Sequence, residues 1–455
     1  MSETYDSRRV QTLEALLAQD PRKAFGIFRW VLRYPGAPEL RDRARWTEAW
    51  EVFARIAAII SGEELAGIVR KAAQDPEDVQ ALYDLGYQLI EQSLHDVAAT
   101  VLARAHACRP GQAGILEELV SALEGMGAHP EAARFLRAQP KLVEDRYMLR
   151  YLLAFNALMS GDLDTPRELL PRLAVLCTPA PDAPADKVQF LEALVGRIRE
   201  FLARADAVRA VTPLDLRDLR GWQFVVTGGV LLSLSPHGFE DGMNGRYAFL
   251  QDSEQGCLEG IRRVEAVLAH TDRKPPRVFI LPDRDSAILG HATARLLGVP
   301  AVPWPEGGSE APGLIVAYDV STLENELLAQ LQPHRPGQVL WSHAVPWTEP
   351  LPITPDLTTL LHQMNTSPWG ARLRVSPDTQ QMERAPAEEG PVEALAARLA
   401  SGTMEEAALA DLPVLLKLVQ AMASVQGDAT GGLFRDSGLR RRQFADSPVK
   451  SSRFL

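Results

Sequence analysis

The sequence predicts a multidomain protein in which an all-α region precedes an α/β region with a mostly parallel sheet. Across residues 1–210, apolar residues recur at helical spacing, and no stretch alternates as a strand does. From about residue 212, short apolar runs alternate with amphipathic helices, which indicates parallel strands joined by crossover helices. A Pro- and Glu-rich stretch then precedes a last helical pair. We expect an α/β domain over 212–375, a linker over 376–391, a helical extension over 392–426 and a disordered basic tail over 427–455.

Composition narrows the class of protein. The 455 residues suggest about two to four domains, and the net charge of -11 gives no general reason to bind nucleic acid or an anionic membrane. The first residues lack the apolar segment of a signal peptide, and no run of about 18 apolar residues predicts a membrane span. Cys108, Cys177 and Cys257 are far apart and lack CxxC spacing, which argues against disulfides and a zinc site. We therefore expect a cytoplasmic protein.

The helical region contains a repeating pattern, clearest in ALYDLGYQLIEQSLHDVAATVLARAHACRPG (81–111). Small residues at Gly86 and Ala98 allow two helices to approach closely, and Pro110 ends the second helix. The large residues that fill the gap are Leu82, Leu85, Leu89 and Leu102, and similar positions recur 34 residues on at Leu116, Leu119 and Leu123. The pattern resembles the tetratricopeptide repeat (TPR) over residues 45–176 and implies a helical solenoid with a peptide-binding groove. A helical bundle without such a groove is the alternative.

In the α/β region we predict a hairpin in WQFVVTGGVLLSLS (222–235), centred on two glycines. The strands that follow are predicted at 277–281, 314–318 and 338–341. Helices are predicted at 254–269, 286–297, 321–331 and 356–364. Ligands of open parallel sheets bind beyond the carboxyl ends of the strands, so the loops at those ends are the places to look for a site.

Two such loops carry the candidate binding residues. Asp283, Asp285 and Ser286 follow strand 277–281, and Asp319, Ser321 and Thr322 follow strand 314–318. Each loop leads into a helix N-terminus, where free N–H groups favour an anion. Helix capping by the same side chains is the structural alternative, and the two aspartates of the first loop are also weak candidates for Mg²⁺.

RVFILPDRDSAILGHATARLLGVPAVPW (277–304) and LIVAYDVSTLENELLAQL (314–331) resemble consecutive units of the type I phosphoribosyltransferase fold. The resemblance implies a pyrophosphate contact in the first unit and a loop for the 5-phosphate of phosphoribosyl pyrophosphate in the second. Tyr318 stands where that family has its first acidic residue, and Leu323 and Glu324 stand near the place of its loop glycine. Since glycine lets backbone N–H groups close around a phosphate, we expect a domain without catalytic activity.

The tail is basic although the chain is acidic. From Arg435 to Leu455, six basic residues (435, 440, 441, 442, 450, 453) and two acidic ones (436, 446) give a net charge of +4. Such a segment is typical of a docking arm, here Arg440–Leu455, or of an arm that binds nucleic acid. A terminus without a partner is an equal alternative.

Together these features favour a scaffold or adaptor that binds a protein partner through the TPR-like groove and the tail. A phosphoribosyl- or nucleotide-binding enzyme that uses Asp319, Ser321 and Thr322 is the alternative. No P-loop, G-x-G-x-x-G or G-x-S-x-G motif is present, and we expect no catalytic residue, metal or cofactor.

Overall fold

The structure is a computed structural model, and it describes residues 16–17, 19–176, 185–237, 242–376, 380–425 and 432–451. The chain forms two compact units, Met1–Val188 and Gln189–Leu455. The division precedes the boundary expected near residue 210. Most of the helix over 185–208 belongs to the second unit, where Arg204 donates to the Val225 carbonyl.

The first unit is helical, as predicted. Its α-helices are α1 Pro21–Leu32, α2 Arg43–Ile60, α3 Glu63–Gln74, α4 Val79–Glu91, α5 His95–Cys108, α6 Ala113–Gly125, α7 His129–Arg137, α8 Pro140–Asp145, α9 Tyr147–Leu158 and α10 Asp164–Leu176. Successive helices are joined by short turns and pack on one another.

Helices α4 and α5 show why this sequence folds as paired helices. Asp78 caps α4 by accepting hydrogen bonds from the backbone N–H groups of Gln80 and Ala81. The side of α4 that carries Gly86 lies directly against Leu102 of α5, which is fully buried. A glycine at this position removes the side chain that would otherwise hold the two helices apart.

The second unit contains a sheet in which all seven strands are parallel, which confirms the predicted α/β class. Its strands are β1 Val230–Leu231, β2 Tyr247–Gln251, β3 Val278–Ile280, β4 Ala301–Pro303, β5 Gly313–Asp319, β6 Gln338–Pro346 and β7 Leu357–Thr366. The order is β1-β7-β6-β5-β3-β4, and β2 pairs with the later part of β7, on which β1 occupies the earlier part.

The strand order reverses at β3, because the chain passes from β3 to β4 on one side and then to β5 on the other. Strands β5 and β6 are buried along their whole length, which explains their nearly continuous apolar sequences. The carboxyl ends of β3 and β5 therefore lie side by side at a switch point of the sheet.

The helices of the second unit are α11 Ala185–Val208, α12 Leu219–Thr227, α13 Glu254–His270, α14 Arg284–Leu297, α15 Asn325–Leu331, α16 Val392–Ala400 and α17 Leu412–Met422. Helices α13, α14 and α16 contact one another beside the sheet. No helix in the described ranges has both the length and the apolar character needed to cross a membrane.

Two secondary-structure predictions in this unit are wrong. The expected hairpin at 222–235 is helix α12 followed by β1, because Asp218 caps the start of the helix and Gly228 ends it at a φ of 83°. The expected helix at 356–364 is strand β7. Its backbone pairs with β1, β2 and β6, and Thr359 accepts a hydrogen bond from the Trp341 indole of β6, so sheet pairing prevails over the helical spacing.

The predicted linker at 376–391 is also partly ordered. Strand β8 (Arg372–Val375) lies just before the predicted linker, and its antiparallel partner β9 (Met382–Ala385) lies within it. Glu388 then donates its backbone N–H to the Trp369 carbonyl, and its carboxylate pairs with Arg398 at 2.6 Å. These contacts to distant residues overcome the disorder that the composition suggested.

The prediction of a disordered tail at 427–455 is wrong for the part that the structure describes, 432–451. Backbone bridges join Leu439 to Pro333 and Gln443 to Leu351. Arg440 is 3% exposed and lies 2.8 Å from the carboxylate of Asp356. Arg435, Arg440 and Arg441 thus pair with carboxylates inside the second unit, whereas Arg442 is exposed, and Arg440 is not available to an external partner. Residues 452–455 of the proposed docking arm lie outside the described residues.

Candidate functional site

The six candidate residues lie in two adjacent loops at the switch point of the sheet. Asp283 caps helix α14 just after β3, and Asp319 caps the 3-10 turn Val320–Thr322 just after β5. Because β3 and β5 are hydrogen-bonded neighbours, the two loops share one edge of the sheet. This is the location at which a ligand of such a fold would bind.

In the first loop, the polar groups serve the fold. Asp283 Oδ1 accepts from the Ser286 backbone N–H at 2.9 Å, and the fully buried Ser286 hydroxyl accepts from the Tyr318 backbone N–H at 2.8 Å. Burial raises the pKa of Asp285, although a hydrogen bond from Ser367 opposes the rise. The other oxygen of Asp283, Oδ2, is buried and receives no hydrogen bond from the described residues.

The second loop is closed by its own hydrogen bonds. Asp319 Oδ1 accepts from both the backbone N–H and the hydroxyl of Ser321, at 2.9 and 2.6 Å. Its other oxygen lies 2.9 Å from His362 Nε2, and the Thr322 hydroxyl donates back to the Asp319 carbonyl. The Val320 N–H donates to the Ser342 hydroxyl. The N–H groups of Val320 and Ser321 are therefore not available to a phosphate.

A later part of the chain covers this edge. Trp369 is fully buried, its indole donates to Glu254 at 3.0 Å, and its ring packs edge-on against Tyr318. Arg284 donates to the carbonyl oxygens of Glu388 and Gly390. The segment that was expected to be a free linker thus lies against the first of the two loops.

A buried polar network that sequence reasoning missed lies next to these loops. It consists of Asp252 at the end of β2, Cys257 in the first turns of α13, Tyr318 on β5, His343 on β6 and Asn365 on β7. One carboxylate oxygen, Asp252 Oδ2, lies 2.9 Å from both His343 Nε2 and the Tyr318 hydroxyl, and 3.5 Å from Cys257 Sγ. The only sequence signal was the close spacing of Asp252 and Cys257 around a helix start.

This network does not have the geometry of a catalytic triad. In a triad the acid and the nucleophile bind opposite nitrogens of the imidazole, whereas Cys257 and Asp252 both face His343 Nε2. Burial raises the pKa of the Cys257 thiol well above its ordinary value, and the Asp252 carboxylate raises it further. Burial also opposes ionisation of Asp252, but His343 and the surrounding donors outweigh it and lower its pKa. An inert, protonated thiol is not a nucleophile.

The helical unit has a surface groove of its own. A cavity of about 530 Å³ lies between α3 and α4 and is lined by Ile68, Lys71, Ala81, Tyr83, Asp84, Tyr87 and Gln88. Tyr87 is one of these lining residues, and 43% of its surface is exposed. An aromatic side chain with an apolar body and a polar tip is a common anchor for protein partners.

Carboxylates gather beside these tyrosines. Burial raises the pKa of Tyr83, and Glu118 and Tyr87 raise it further. Burial also raises the pKa of Glu118, with further contributions from Glu117 and Glu91. Across the described ranges, none of these three glutamates forms an ion pair with a lysine or arginine. The exposed aromatic surface of the groove thus lies near glutamates that form no ion pair among the described residues, while the groove's own lining contains Lys71 and Asp84.

Comparison with known proteins gives no family assignment. No model of a known protein family matches the chain, and a search of curated proteins finds no similar sequence.

Proposed function

We propose that this protein is an interaction adaptor whose helical unit binds a positively charged segment of a partner protein. The segment binds in the groove between α3 and α4, with its cations toward Glu91, Glu117 and Glu118. The single observation that carries this proposal is the exposed Tyr87 in the groove, near glutamates that have no cationic partner among the described residues.

The chemistry of the groove selects the kind of segment. Ile68 and the two tyrosines offer apolar surface to an aliphatic or aromatic side chain. Burial raises the pKa of Glu118, and Glu117 and Glu91 raise it further, so this carboxylate gains from a nearby cation that relieves the repulsion. Lys71, on the α3 wall, is suited to a carbonyl or carboxylate of the same segment. The 34-residue spacing of the TPR-like pattern supports this use of the helical unit.

The second unit then serves as a stable module rather than an enzyme. Its order β4-β3-β5-β6-β7 is a common doubly wound order, which supports the likeness to a phosphoribosyltransferase fold. Against ligand binding weigh the hydrogen bonds that already engage Asp319 and Ser321, and the segment around Trp369 that covers the neighbouring loop. A phosphate would have to displace these bonds.

The test uses the full chain and three fluorescein-labelled peptides of equal length, which alternate leucine with arginine, glutamate or serine. Fluorescence anisotropy at two salt concentrations measures binding. We expect the arginine peptide to bind most tightly. Glu117→Gln combined with Glu118→Gln should weaken it by about 0.4–2 kcal/mol, or about 2- to 30-fold. Tyr87→Ser should cost at least about fivefold.

The matched control is Glu144→Gln combined with Glu168→Gln, exposed positions on α8 and α10 that remove the same charge from the same unit. Equal losses of affinity in the control and the groove variant would mean that only net charge attracts the peptide. The groove would then be rejected as the binding site. Equal binding of all three peptides would reject it as well.

Calorimetry with phosphoribosyl pyrophosphate, ribose 5-phosphate, ATP and GMP in the presence of Mg²⁺ tests the enzyme alternative separately. We expect no heat of binding. Micromolar binding that is lost in Asp319→Ala would establish the second unit as a ligand-binding domain, whatever the peptides do.

A further inference from the structure

Three side chains of different chemistry meet in the interior of the second unit. Asp252 follows β2, Cys257 lies near the start of α13, and His343 lies within β6, so three separate elements contribute one side chain each. Asp252 is 5% exposed, and the other two are fully buried. The proposed adaptor function uses none of them.

The distances among the three ligand atoms suit a metal ion. Asp252 Oδ2 lies 2.9 Å from His343 Nε2 and 3.5 Å from Cys257 Sγ, and the sulfur lies 3.9 Å from the nitrogen. Tetrahedral zinc with bonds of about 2.3 Å to sulfur and about 2.0 Å to nitrogen and oxygen places such atoms about 3.3–3.6 Å apart. Shifts of about 0.4 Å would match the observed triangle to that geometry.

The surroundings of the three ligand atoms provide a further oxygen atom, space for the imidazole ring and a cavity through which an ion can enter. The Tyr318 hydroxyl lies 2.9 Å from the same carboxylate oxygen and accepts from Asn365 at 3.1 Å. Gly260 leaves room for the imidazole ring, since a Cβ there would lie 2.7 Å from His343 Nδ1. A cavity of about 260 Å³, partly open to solvent, is lined by Asp252 and the start of α13.

We propose that Asp252, Cys257 and His343 bind one zinc ion, with the Tyr318 hydroxyl or a water molecule at the fourth position. A sulfur, a nitrogen and an oxygen ligand together favour zinc over the hard cations Mg²⁺ and Ca²⁺. Binding replaces the thiol proton by a bond to the metal, and that proton passes to solvent. At the imidazole the metal takes the place of the Nε2 proton, and the neutral ring then carries its one N–H proton at Nδ1. The ion fastens the end of β2, the start of α13 and the middle of β6, which makes it a structural site.

The surroundings of the His343 imidazole suit the zinc-bound and the zinc-free protein equally. His343 Nδ1 is buried without a described partner, so it carries an unpaired proton when Nε2 binds the metal and an unpaired lone pair when Nε2 donates to Asp252. The free-energy cost of the unpaired Nδ1 is therefore similar with and without zinc. The argument for zinc rests on the distances among Asp252 Oδ2, Cys257 Sγ and His343 Nε2.

The experiment measures zinc by mass spectrometry in the full chain, purified without chelator. We expect about one zinc per chain in the wild type and in a Cys108→Ser, Cys177→Ser control, and almost none in Cys257→Ser. Cobalt added to the chelator-treated protein should give a thiolate-to-cobalt absorption band that Cys257→Ser abolishes and the control retains. The serine variant keeps the size and hydrogen-bonding capacity of the side chain, and circular dichroism verifies its fold.

Two results would overturn the proposal. One is a wild-type chain that contains no zinc and whose melting temperature and absorption do not respond to added zinc or cobalt, since the cluster is then held by hydrogen bonds alone. The other is unchanged zinc content in Cys257→Ser. A melting temperature that falls with chelator and recovers with zinc, in the wild type and the control only, is the expected pattern.

Discussion

The contact between Gly86 and Leu102 makes a sharp prediction about the helical unit. A Cβ added at Gly86 would lie 2.4 Å from Leu102 Cγ and 2.6 Å from its Cδ2. Leu102 is fully buried, and the clash includes its Cγ, not only the far end of the side chain. The side chain can therefore not rotate away freely, and Gly86→Ala must push α4 and α5 apart or force Leu102 from its rotamer.

Two opposing effects set the magnitude. Alanine favours an α-helix over glycine by about 0.8–1.0 kcal/mol, whereas overpacking a well-packed core costs about 1–3 kcal/mol. Gly86→Ala should then lower the free energy of unfolding by up to about 2 kcal/mol. Gly67→Ala is the matched control, since Gly67 lies in the middle of α3, is exposed and has no heavy atom within 4 Å of its added Cβ. It should raise that free energy by about 0.5–1 kcal/mol.

Urea titration followed by circular dichroism measures both variants, and the helical signal lost in the first unit supplies the midpoint. The double variant Gly86→Ala, Leu102→Ala provides a further test, because Leu102→Ala alone opens a cavity and costs about 2–5 kcal/mol. In the double variant the new methyl group occupies part of that cavity, so the two costs should be less than additive. If Gly86→Ala stabilises the protein as much as Gly67→Ala does, the close approach of α4 and α5 is refuted.

Two further predictions concern the C-terminal segment. Arg440→Ala leaves the buried carboxylate of Asp356 without its arginine partner and should destabilise the second unit by about 3–5 kcal/mol in urea unfolding. The exposed Arg442→Ala should stay within about 0.5 kcal/mol of the wild type. Burial opposes ionisation of Asp356, but Arg440 and His334 outweigh it and lower its pKa, so its contribution to stability is complete above the unfolded pKa of about 4 and is lost as the pH falls through the folded value. The melting temperature should therefore fall below about pH 4, and Asp356→Asn should flatten part of that fall; an identical pH profile in the variant would contradict this role.

The parts of the fold that could be predicted are those that local sequence determines. Strand β5 is buried along its whole length, so its run of apolar residues was an unambiguous signal. Helices α4 and α5 carry regular apolar spacing, and Asp78 caps α4. In both cases, the pattern within about ten residues agrees with the tertiary environment.

The errors arose where distant partners decide. Strand β7 has helix-like spacing, and only its neighbours β6, β1 and β2 make it a strand. The basic tail resembles a disordered arm until Arg440 and Arg441 find the carboxylates of Asp356 and Glu200. Composition contains no information about such pairs.

The site shows the same division. The two loops at the switch point follow from strand order, so they could be located from the sequence, but the hydrogen bonds that close them could not. Asp252 and His343 are 91 residues apart, and only the positions of β2 and β6 in the sheet bring them together. Neither the spacing of the cysteines nor that of the histidines indicates a group that combines one of each with a carboxylate.

The dependence of the sheet on residues 432–451 also sets an order of events during synthesis. Among the described residues, the core cluster of the first unit is built from residues between 24 and 153, so the helices that form it can fold while the ribosome is still translating the sheet. The sheet acquires the backbone bridges of Leu439 and Gln443, and the guanidinium that neutralises Asp356, only when residues 432–451 have emerged. A premature stop codon near residue 425 would therefore release a chain with a folded first unit and a second unit that lacks the contacts of residues 432–451. Such a chain is a substrate for proteolytic quality control.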